Sequence, residues 1–338
     1  MMNLETTYLN MRLRSPLVVS ASPLSRSIEN IKRMESAGAG AVILFSLFEE
    51  QLRNERRRHE FLEAHPKATE ANAAALYPDQ QHFHLSVDEY LAHIRKAKEA
   101  VGIPIIASLN AQSLGSWIDC AQKIEAAGAD ALELNISFLP TDDIDRTADQ
   151  IENHHLQILK VAKESVKIPV AVKLTPFFTN LSNMARRLDQ SGANALVLFN
   201  RFYQPDFEPQ TLKPRLEVSL GSAQDLRLVL QWIALLYGKV RADLAATGGI
   251  YSAEDVIKLL MVGAKVTLLT SVLLKKGIDY LVELDKDLRR WLDENDYASV
   301  AELQGMVSQS HHNNPAASER AQYIQILTSY RTQWEADA

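Results

Sequence analysis

One stretch of the sequence, D-L-A-A-T-G-G-I-Y-S-A-E-D-V-I-K-L-L-M-V-G-A-K-V-T-L-L-T (243–270), decides the fold. An apolar segment leads through a glycine turn into an amphipathic stretch, Ala253–Val262, and a second apolar segment follows. Gly263 is typical of a helix end, because glycine adopts the left-handed conformation without a Cβ penalty. Short, uniformly apolar segments are typical of strands buried on both faces. The stretch therefore predicts strand, helix and strand in succession.

The same pattern recurs along the chain. A helix that ends at a small residue followed by Gly-Ala precedes an apolar strand at 37–39, 127–129, 191–193 and 262–264. Four further strands alternate with these, and three of them begin at proline, which suits the first position of a strand. The eight predicted strands are 16–22, 41–46, 104–110, 131–136, 169–174, 195–199, 243–247 and 266–270. Amphipathic segments predict helices at 28–37, 87–100, 116–127, 154–165, 181–190, 223–236 and 253–262.

Eight strands joined by helical crossovers predict an α/β fold, a closed (β/α)8 TIM barrel. A doubly wound open sheet is the alternative, but no G-x-G-x-x-G follows the first strand. Residues 1–15 predict an N-terminal hairpin that closes the bottom of the barrel, and residues 51–86 predict a long polar crossover, typical of a lid, binding loop or interface. A C-terminal helical extension completes the prediction, with a barrel domain at 1–307 and the extension at 308–338.

The composition excludes several classes of protein. The 338 residues carry 36 basic and 42 acidic side chains, a net charge of −6, so the whole chain has no attraction to nucleic acid. No apolar run of about 18 residues and no secretory signal pattern is visible, which predicts a cytoplasmic protein without a membrane partner. Cys120 is the single cysteine, which excludes an intrachain disulfide, and its amphipathic surroundings predict a packed thiol.

Polar side chains stand at the predicted carboxyl ends of the strands, where TIM barrels hold their active sites. They include Ser20, Ser22, Ser46, Ser108, Asn110, Asn135, Ser137, Lys173, Thr175, Asn200, Arg201, Thr247, Thr270 and Ser271. Amides and hydroxyls around one lysine, without a cluster of acids and histidines for a metal, suit a polar, planar ligand that carries a phosphate. Gly248 and Gly249 would let backbone amides approach that phosphate. Lys173 either meets an electron-rich ligand atom or pairs with a buried acid.

Several segments, in the right order, resemble the dihydroorotate dehydrogenase family of FMN-dependent barrel proteins. They are S-P-L-V-V-S-A-S (15–22), A-D-A-L-E-L-N-I-S (129–137), I-P-V-A-V-K-L-T-P (168–176) and T-G-G-I-Y-S-A-E-D-V-I-K-L-L-M-V-G-A (247–264). The resemblance implies FMN as the cofactor and dihydroorotate, or a related cyclic amide, as the substrate. It places Ala21, Ser22, Asn135 and Lys173 beside the flavin, Gly248, Gly249, Thr270 and Ser271 at its phosphate, and Asn135 and Asn200 at the substrate.

The sequence departs from the family at several places: the family's N-S-x-G-x-x-N segment is missing, Thr270-Ser271 replaces a glycine pair at the phosphate site, and two phenylalanines stand in the pocket. Phe138 stands where the family has a cysteine or serine as the catalytic base, and Phe45 stands where it has a lysine. The predicted catalytic residues are Ser137 and Lys173. Ser137 is the first candidate for the base, and His82 and His84 are the others. Because neither phenylalanine can take up a proton or carry a charge, we predict an apolar pocket over the flavin and slow oxidation of dihydroorotate.

Three functions are open on these observations. The first is an FMN-dependent oxidoreductase of pyrimidine biosynthesis that converts dihydroorotate to orotate. The second is a flavin-binding relative that lacks the usual base and acts on a different substrate, and the third is a flavin-free phosphate-binding barrel of the aldolase or synthase type. The expected electron acceptor is a soluble molecule or a partner subunit. The chain itself is expected to form a homodimer. A carboxylate introduced at Gly249 is expected to repel the flavin phosphate.

Overall fold

Twelve strands form a hairpin, a closed barrel and a second hairpin in the residues that the structure describes. This computed structural model describes residues 2–66, 69, 86–110, 112–115, 117–136, 144–201, 206–215, 219–311 and 315–329. The strands are β1 (Thr6–Tyr8), β2 (Met11–Leu13), β3 (Leu17–Val19), β4 (Ala41–Phe48), β5 (Ile105–Asn110), β6 (Ala131–Asn135), β7 (Val170–Leu174), β8 (Ala195–Leu198), β9 (Asp206–Glu208), β10 (Lys213–Arg215), β11 (Asp243–Thr247) and β12 (Val266–Leu269). The closed barrel has the order β11-β12-β3-β4-β5-β6-β7-β8 with all pairs parallel, which confirms the predicted fold.

The helices cover the outside of the barrel. They are α1 (Ile28–Ser36), α2 (Glu49–Ala64), α3 (Val87–Ala100), α4 (Ile118–Ala126), α5 (Ala148–Ser165), α6 (Leu181–Gln190), α7 (Leu226–Leu236), α8 (Ala253–Val262), α9 (Ser271–Lys276), α10 (Tyr280–Glu294), α11 (Val300–Leu303) and α12 (Pro315–Ser329). Two predictions need correction. The first part of the 51–86 crossover is helical, because α2 continues directly from β4, and α5 begins at Ala148 rather than His154. Thr147 caps α5 by accepting a hydrogen bond from the Gln150 amide, a signal that sequence analysis missed.

The N-terminal hairpin closes the amino end of the barrel, as predicted. β1 and β2 pair antiparallel, and Tyr8, Leu9 and Leu13 are fully buried among the inward-facing strand residues. The backbone amide of Leu9 donates a hydrogen bond of 2.9 Å to the Asp243 carboxylate at the start of β11. Full burial of each leucine side chain contributes about 1.5–3 kcal/mol. The hairpin therefore closes the amino end of the barrel interior, and a ligand would enter from the carboxyl ends of the strands.

The segment around α11 completes the barrel by holding the N-terminus. The amide of Asn3 donates to the Ala298 carbonyl, and the amide of Val300 donates to the Asn3 carbonyl. Further on, the Gly305 amide donates to the Leu260 carbonyl of α8. A Cβ at Gly305 would overlap the ring of Tyr237, so the segment packs tightly there. The predicted boundary between residues 307 and 308 stays a prediction.

Two predicted exclusions concern the membrane and the cysteine. None of the described helices has the length and apolar character that a membrane crossing requires. Cys120 is buried in α4, and burial raises the pKa of its thiol to about 12. A thiol that stays protonated at neutral pH is a poor nucleophile, which confirms the packed role predicted for this residue.

Candidate functional site

The carboxyl ends of the strands bring most of the predicted site residues to one mouth of the barrel. Asn135 is the last residue of β6, and it lies in register with Lys173 of β7. The side-chain amide of Asn200, which follows β8, donates a hydrogen bond of 2.7 Å to the side-chain oxygen (Oδ1) of Asn135. This bond links the two predicted substrate residues and fixes the direction in which each amide points. Both amides are thus held in place before any ligand arrives.

Lys173 reaches across the interior of the barrel. Its ammonium lies 3.5 Å from the Ser20 hydroxyl, just beyond β3, although β3 and β7 are not neighbours in the sheet. The same ammonium lies 3.7 Å from a carboxylate oxygen of Glu133 on β6. Two roles are open for Lys173 from the sequence, and its position is compatible with both. A buried acid lies beside it, and its ammonium faces the mouth, where it could meet a ligand atom. The distance to Glu133 is too long for a strong hydrogen bond.

Four buried polar atoms at the mouth lack a hydrogen-bond partner among the described residues. They are the Ser22 hydroxyl, the Asn110 amide oxygen and both carboxylate oxygens of Glu133. Buried polar groups in folded proteins are nearly always paired, so the Ser22 and Asn110 atoms mark positions where a bound molecule can complete the bonding, while Glu133 lies one layer deeper beside Lys173. Ala21 lies beside Ser22 and packs against the inner cluster. The mouth is therefore a polar surface with unmet hydrogen-bonding capacity.

The two predicted phosphate glycines differ in the space around them. Both have positive φ, +105° at Gly248 and +74° at Gly249. A Cβ at Gly248 would meet nothing within 4 Å, whereas a Cβ at Gly249 would overlap the backbone nitrogen of Leu226 at the start of α7. The expectation for a carboxylate at Gly249 therefore needs correction, because any side chain there disrupts packing before it can repel a phosphate. Gly248 is the glycine that opens onto free space.

A third loop, which sequence analysis missed, closes over the same region. The amide of Gly221 donates a hydrogen bond of 3.0 Å to the Ser271 hydroxyl at the start of α9, directly after Thr270. The Tyr251 hydroxyl donates to the Gly221 carbonyl. A signal was available in the sequence, because S-A-Q-D (222–225) is a helix-start pattern that follows Gly221 and precedes α7. The loop thus joins the ends of β11 and β12.

The structure corrects the expectation for Phe45. Its ring packs edge-on against Tyr90 at 5.2 Å and lies 5.6 Å from His93, both on α3 in the outer layer. The pairing of β4 with β5 shifts register between Ile43 and Ser46, which turns Phe45 outward. Ser46 instead shares a hydrogen bond of 2.8 Å with Ser108 of β5. At this position the mouth is lined by hydroxyls, so the predicted apolar pocket does not extend to Phe45.

Several candidate residues lie outside the described part of the chain. They are Ser137, Phe138, His82 and His84, so the position of a catalytic base stays a prediction. Within the described part, acids, histidines and cysteines do not gather into a group that could hold a metal ion.

Comparison with known proteins agrees with this arrangement. The family model for dihydroorotate dehydrogenase matches residues 3–292. The chain belongs to the dihydroorotate dehydrogenase family. The match covers every barrel strand, including the glycine turn after β11 and the polar ends of β6, β7 and β8.

Two relatives from archaea align along nearly their whole length. The dihydroorotate dehydrogenase B (NAD(+)) catalytic subunit of Methanocaldococcus jannaschii is 26% identical over 316 residues, which is 90% of this chain and 97% of the relative. The protein of the same name from Methanothermobacter thermautotrophicus is 22% identical over 308 residues, 90% of this chain and 98% of the relative.

Proposed function

We propose that the chain binds FMN at the carboxyl end of the barrel and acts as an oxidoreductase on dihydroorotate or a related cyclic amide. The observation that carries the proposal is that the buried polar atoms of Ser22 and Asn110, at the same end of the barrel as Lys173, have no hydrogen-bond partner among the described residues. A polar planar ring fits these atoms, and a phosphate fits the open space at Gly248. Family membership supports a flavin in this position.

The residues present can hold each part of the cofactor. Ala21, Ser22, Asn135 and Lys173 would lie against the ring, and the backbone amides at Gly248 and Gly249, with Thr270 and Ser271, would hold the phosphate. When bound, FMN supplies the hydride-accepting chemistry. The protein contributes orientation, because the hydrogen bond between Asn200 and Asn135 fixes two substrate-facing amides. The hairpin at the opposite end of the barrel keeps water out from below.

The step that this chain performs least well is proton removal. Phe138, at the position of the family base, cannot accept a proton, and loss of a general base lowers the rate by about 10²–10⁴-fold. Lys173 cannot replace the base while it is charged, and Ser137 is the neighbouring candidate. We therefore propose that dihydroorotate is oxidised slowly, and that the preferred substrate is a different cyclic amide.

Flavin bleaching tests the proposal directly. The purified protein should be yellow and should release FMN when denatured. Under anaerobic conditions, sub-millimolar dihydroorotate should bleach the oxidised flavin over minutes or longer, whereas dithionite should bleach it at once and serves as the control for reducibility. Bleaching by dihydroorotate within seconds would overturn the slow-substrate proposal. A colourless protein that gains no absorbance with added FMN would overturn the flavin proposal and favour the aldolase or synthase alternative.

The molecule that accepts electrons from the flavin is also part of the proposal. The archaeal relatives are named as catalytic subunits of NAD(+)-linked enzymes. We extend this to a partner subunit or a soluble acceptor that receives electrons from the flavin. The expected homodimer stays a prediction.

A further inference from the structure

Glu133 is the most unusual side chain in the barrel. It is fully buried, and neither carboxylate oxygen has a hydrogen-bond partner among the described residues. Its neighbours on β6, Leu132 and Leu134, belong to the outer hydrophobic cluster, so Glu133 points inward. An isolated buried carboxylate is costly and needs a cation nearby. The ammonium of Lys173 at 3.7 Å supplies that charge.

The position of Glu133 relative to Lys173 suggests a role toward the ligand. Asn135 lies in register with Lys173, and Glu133 comes two residues earlier on the same strand, one layer deeper in the barrel. On the neighbouring strand β5, Ser108 shares its hydrogen bond with Ser46 of β4 rather than with the carboxylate. From below, the phenol of Tyr8 is buried, and it too has no hydrogen-bond partner within the described part of the chain. The ammonium thus lies between a buried negative charge and the mouth.

We propose that Glu133 is a positioning residue that acts through Lys173 to set how strongly the bound flavin accepts negative charge. The inference rests on the proposed FMN site. A cation alone beneath the ring would stabilise the anionic forms of the flavin. A carboxylate behind the cation partly cancels its field and holds the ammonium at a fixed depth. Glu133 therefore keeps the flavin less oxidising than Lys173 alone would make it.

The test is Glu133→Gln in the FMN-loaded protein, which removes the charge and keeps the shape. One readout is the midpoint potential of the flavin, which should become more positive. The other is the dissociation constant for sulfite, whose sulfur lone pair forms a bond to flavin N5 and transfers negative charge to the ring. We expect sulfite to bind about tenfold more tightly in the variant, equivalent to about 1.4 kcal/mol. Asp279→Asn removes an exposed carboxylate that pairs with Arg33 on the outer helix α1, and it should change neither value.

The possible outcomes separate the inference from the proposed function. Unchanged potential and sulfite affinity in Glu133→Gln, with FMN retained, would overturn the inference alone. An equal change in Glu133→Asp, which keeps the charge, would assign the effect to packing and would also overturn it. A wild-type chain without affinity for FMN would overturn both.

A second pair of variants applies if Glu133→Gln does not fold. Lys173→Gln removes the cation and leaves the Glu133 carboxylate, so it should bind sulfite more weakly than the Lys173→Gln, Glu133→Gln double variant, in which both charges are absent. Equal sulfite affinity of these two variants would contradict the inference. The double variant places two neutral amides side by side, so it leaves no unpaired buried charge.

Discussion

Gly248 and Gly249 are adjacent, yet only one of them can carry a side chain. Any side chain at Gly249 would collide with the backbone of α7, while Gly248 faces open space where a phosphate fits. Both positions have a left-handed φ, which Asp and Asn tolerate better than other residues. The pair Gly248→Asp and Gly248→Asn is therefore matched in shape and backbone strain and differs in charge.

We expect Gly248→Asp to bind FMN about tenfold or more weakly than Gly248→Asn, about 1.4 kcal/mol per factor of ten. The reason is repulsion between the new carboxylate and the phosphate at close range. Fluorescence titration of the apoprotein with FMN measures the difference. Riboflavin, which has no phosphate, should bind the two variants equally. Equal FMN affinity of the two variants would show that the phosphate lies elsewhere.

His155 provides a prediction for pH. It is buried on α5 with its ring against Phe178, and burial lowers the pKa of its imidazole. As the pH falls below about 6.5, the unfolded chain takes up a proton before the folded chain does. Acidification therefore favours unfolding, and the stability due to neutral His155 is present above that pH and is lost below it.

The expected result is a lower thermal unfolding midpoint at pH 5.5 than at pH 7.5, with a smaller decrease in His155→Gln. Each unit of pKa difference corresponds to about 1.4 kcal/mol. The pKa of His93 is lowered by burial in the same direction, so the variant should keep part of the decrease. An identical decrease in the wild type and the variant would show that His155 does not take part.

At the scale of elements, α11 and α12 differ in how they contact the barrel. Val300 and Leu303 of α11 are fully buried, whereas Tyr323, Ile326 and Leu327 of α12 are more than half exposed. A side chain that stays in solvent adds little to the free energy of unfolding, and a buried one adds several kcal/mol. The two C-terminal helices should therefore respond differently to truncation.

Deletion of residues 312–338 should leave the free energy of unfolding within about 0.5 kcal/mol of the wild-type value. The part-buried hydrogen bond that the Gln309 side-chain amide donates to Glu319 would be lost, at a cost within this range. Deletion of residues 296–338 should lower the stability by several kcal/mol or prevent folding. Urea unfolding followed by circular dichroism distinguishes the two. A strong loss in the shorter deletion would contradict the proposed boundary at residue 307.

The predictions from sequence succeeded where one residue type fixes local structure. Glycine ends the helices before β4, β6, β8 and β12, and the alternation of apolar strands predicted the barrel and its closed order. The ends of β6 and β7 also placed Asn135 and Lys173 side by side, because parallel strands end at one face. These features depend on residues that are close in the sequence or that recur at regular intervals.

The failures have a different physical origin. Phe45 points outward because the register shifts between β4 and β5. Gly249 cannot carry a side chain because the backbone at the start of α7 lies against it. Both come from packing between parts of the chain that are distant in sequence. The loop at Gly221 was missed for the same reason, since its role depends on hydrogen bonds with Ser271 and Tyr251. Local patterns cannot specify such contacts.

At the scale of the whole molecule, the closed bottom of the barrel limits access. Tyr8, Leu9 and Leu13 fill the amino end, so the polar mouth is the entrance for the substrate and for an electron acceptor in the proposed function. With a soluble acceptor, as distinct from a partner subunit, the substrate and the acceptor would then use the site in turn. Initial-rate kinetics should give parallel lines in double-reciprocal plots, and intersecting lines would indicate that both bind at once.

The hydrogen bonds between Asn3 and the segment around α11 affect how the chain reaches its native state. The Gln304 amide donates to the Thr6 hydroxyl, a bond that connects residues 298 positions apart. Contacts of such long range slow the search for the native topology. During synthesis, one edge of β3 stays unpaired until β12 has been made, and Thr6 lacks its Gln304 partner until the segment after α11 has been made. The N-terminal residues are therefore the first to be made and among the last to be buried, which makes the growing chain a natural client for molecular chaperones.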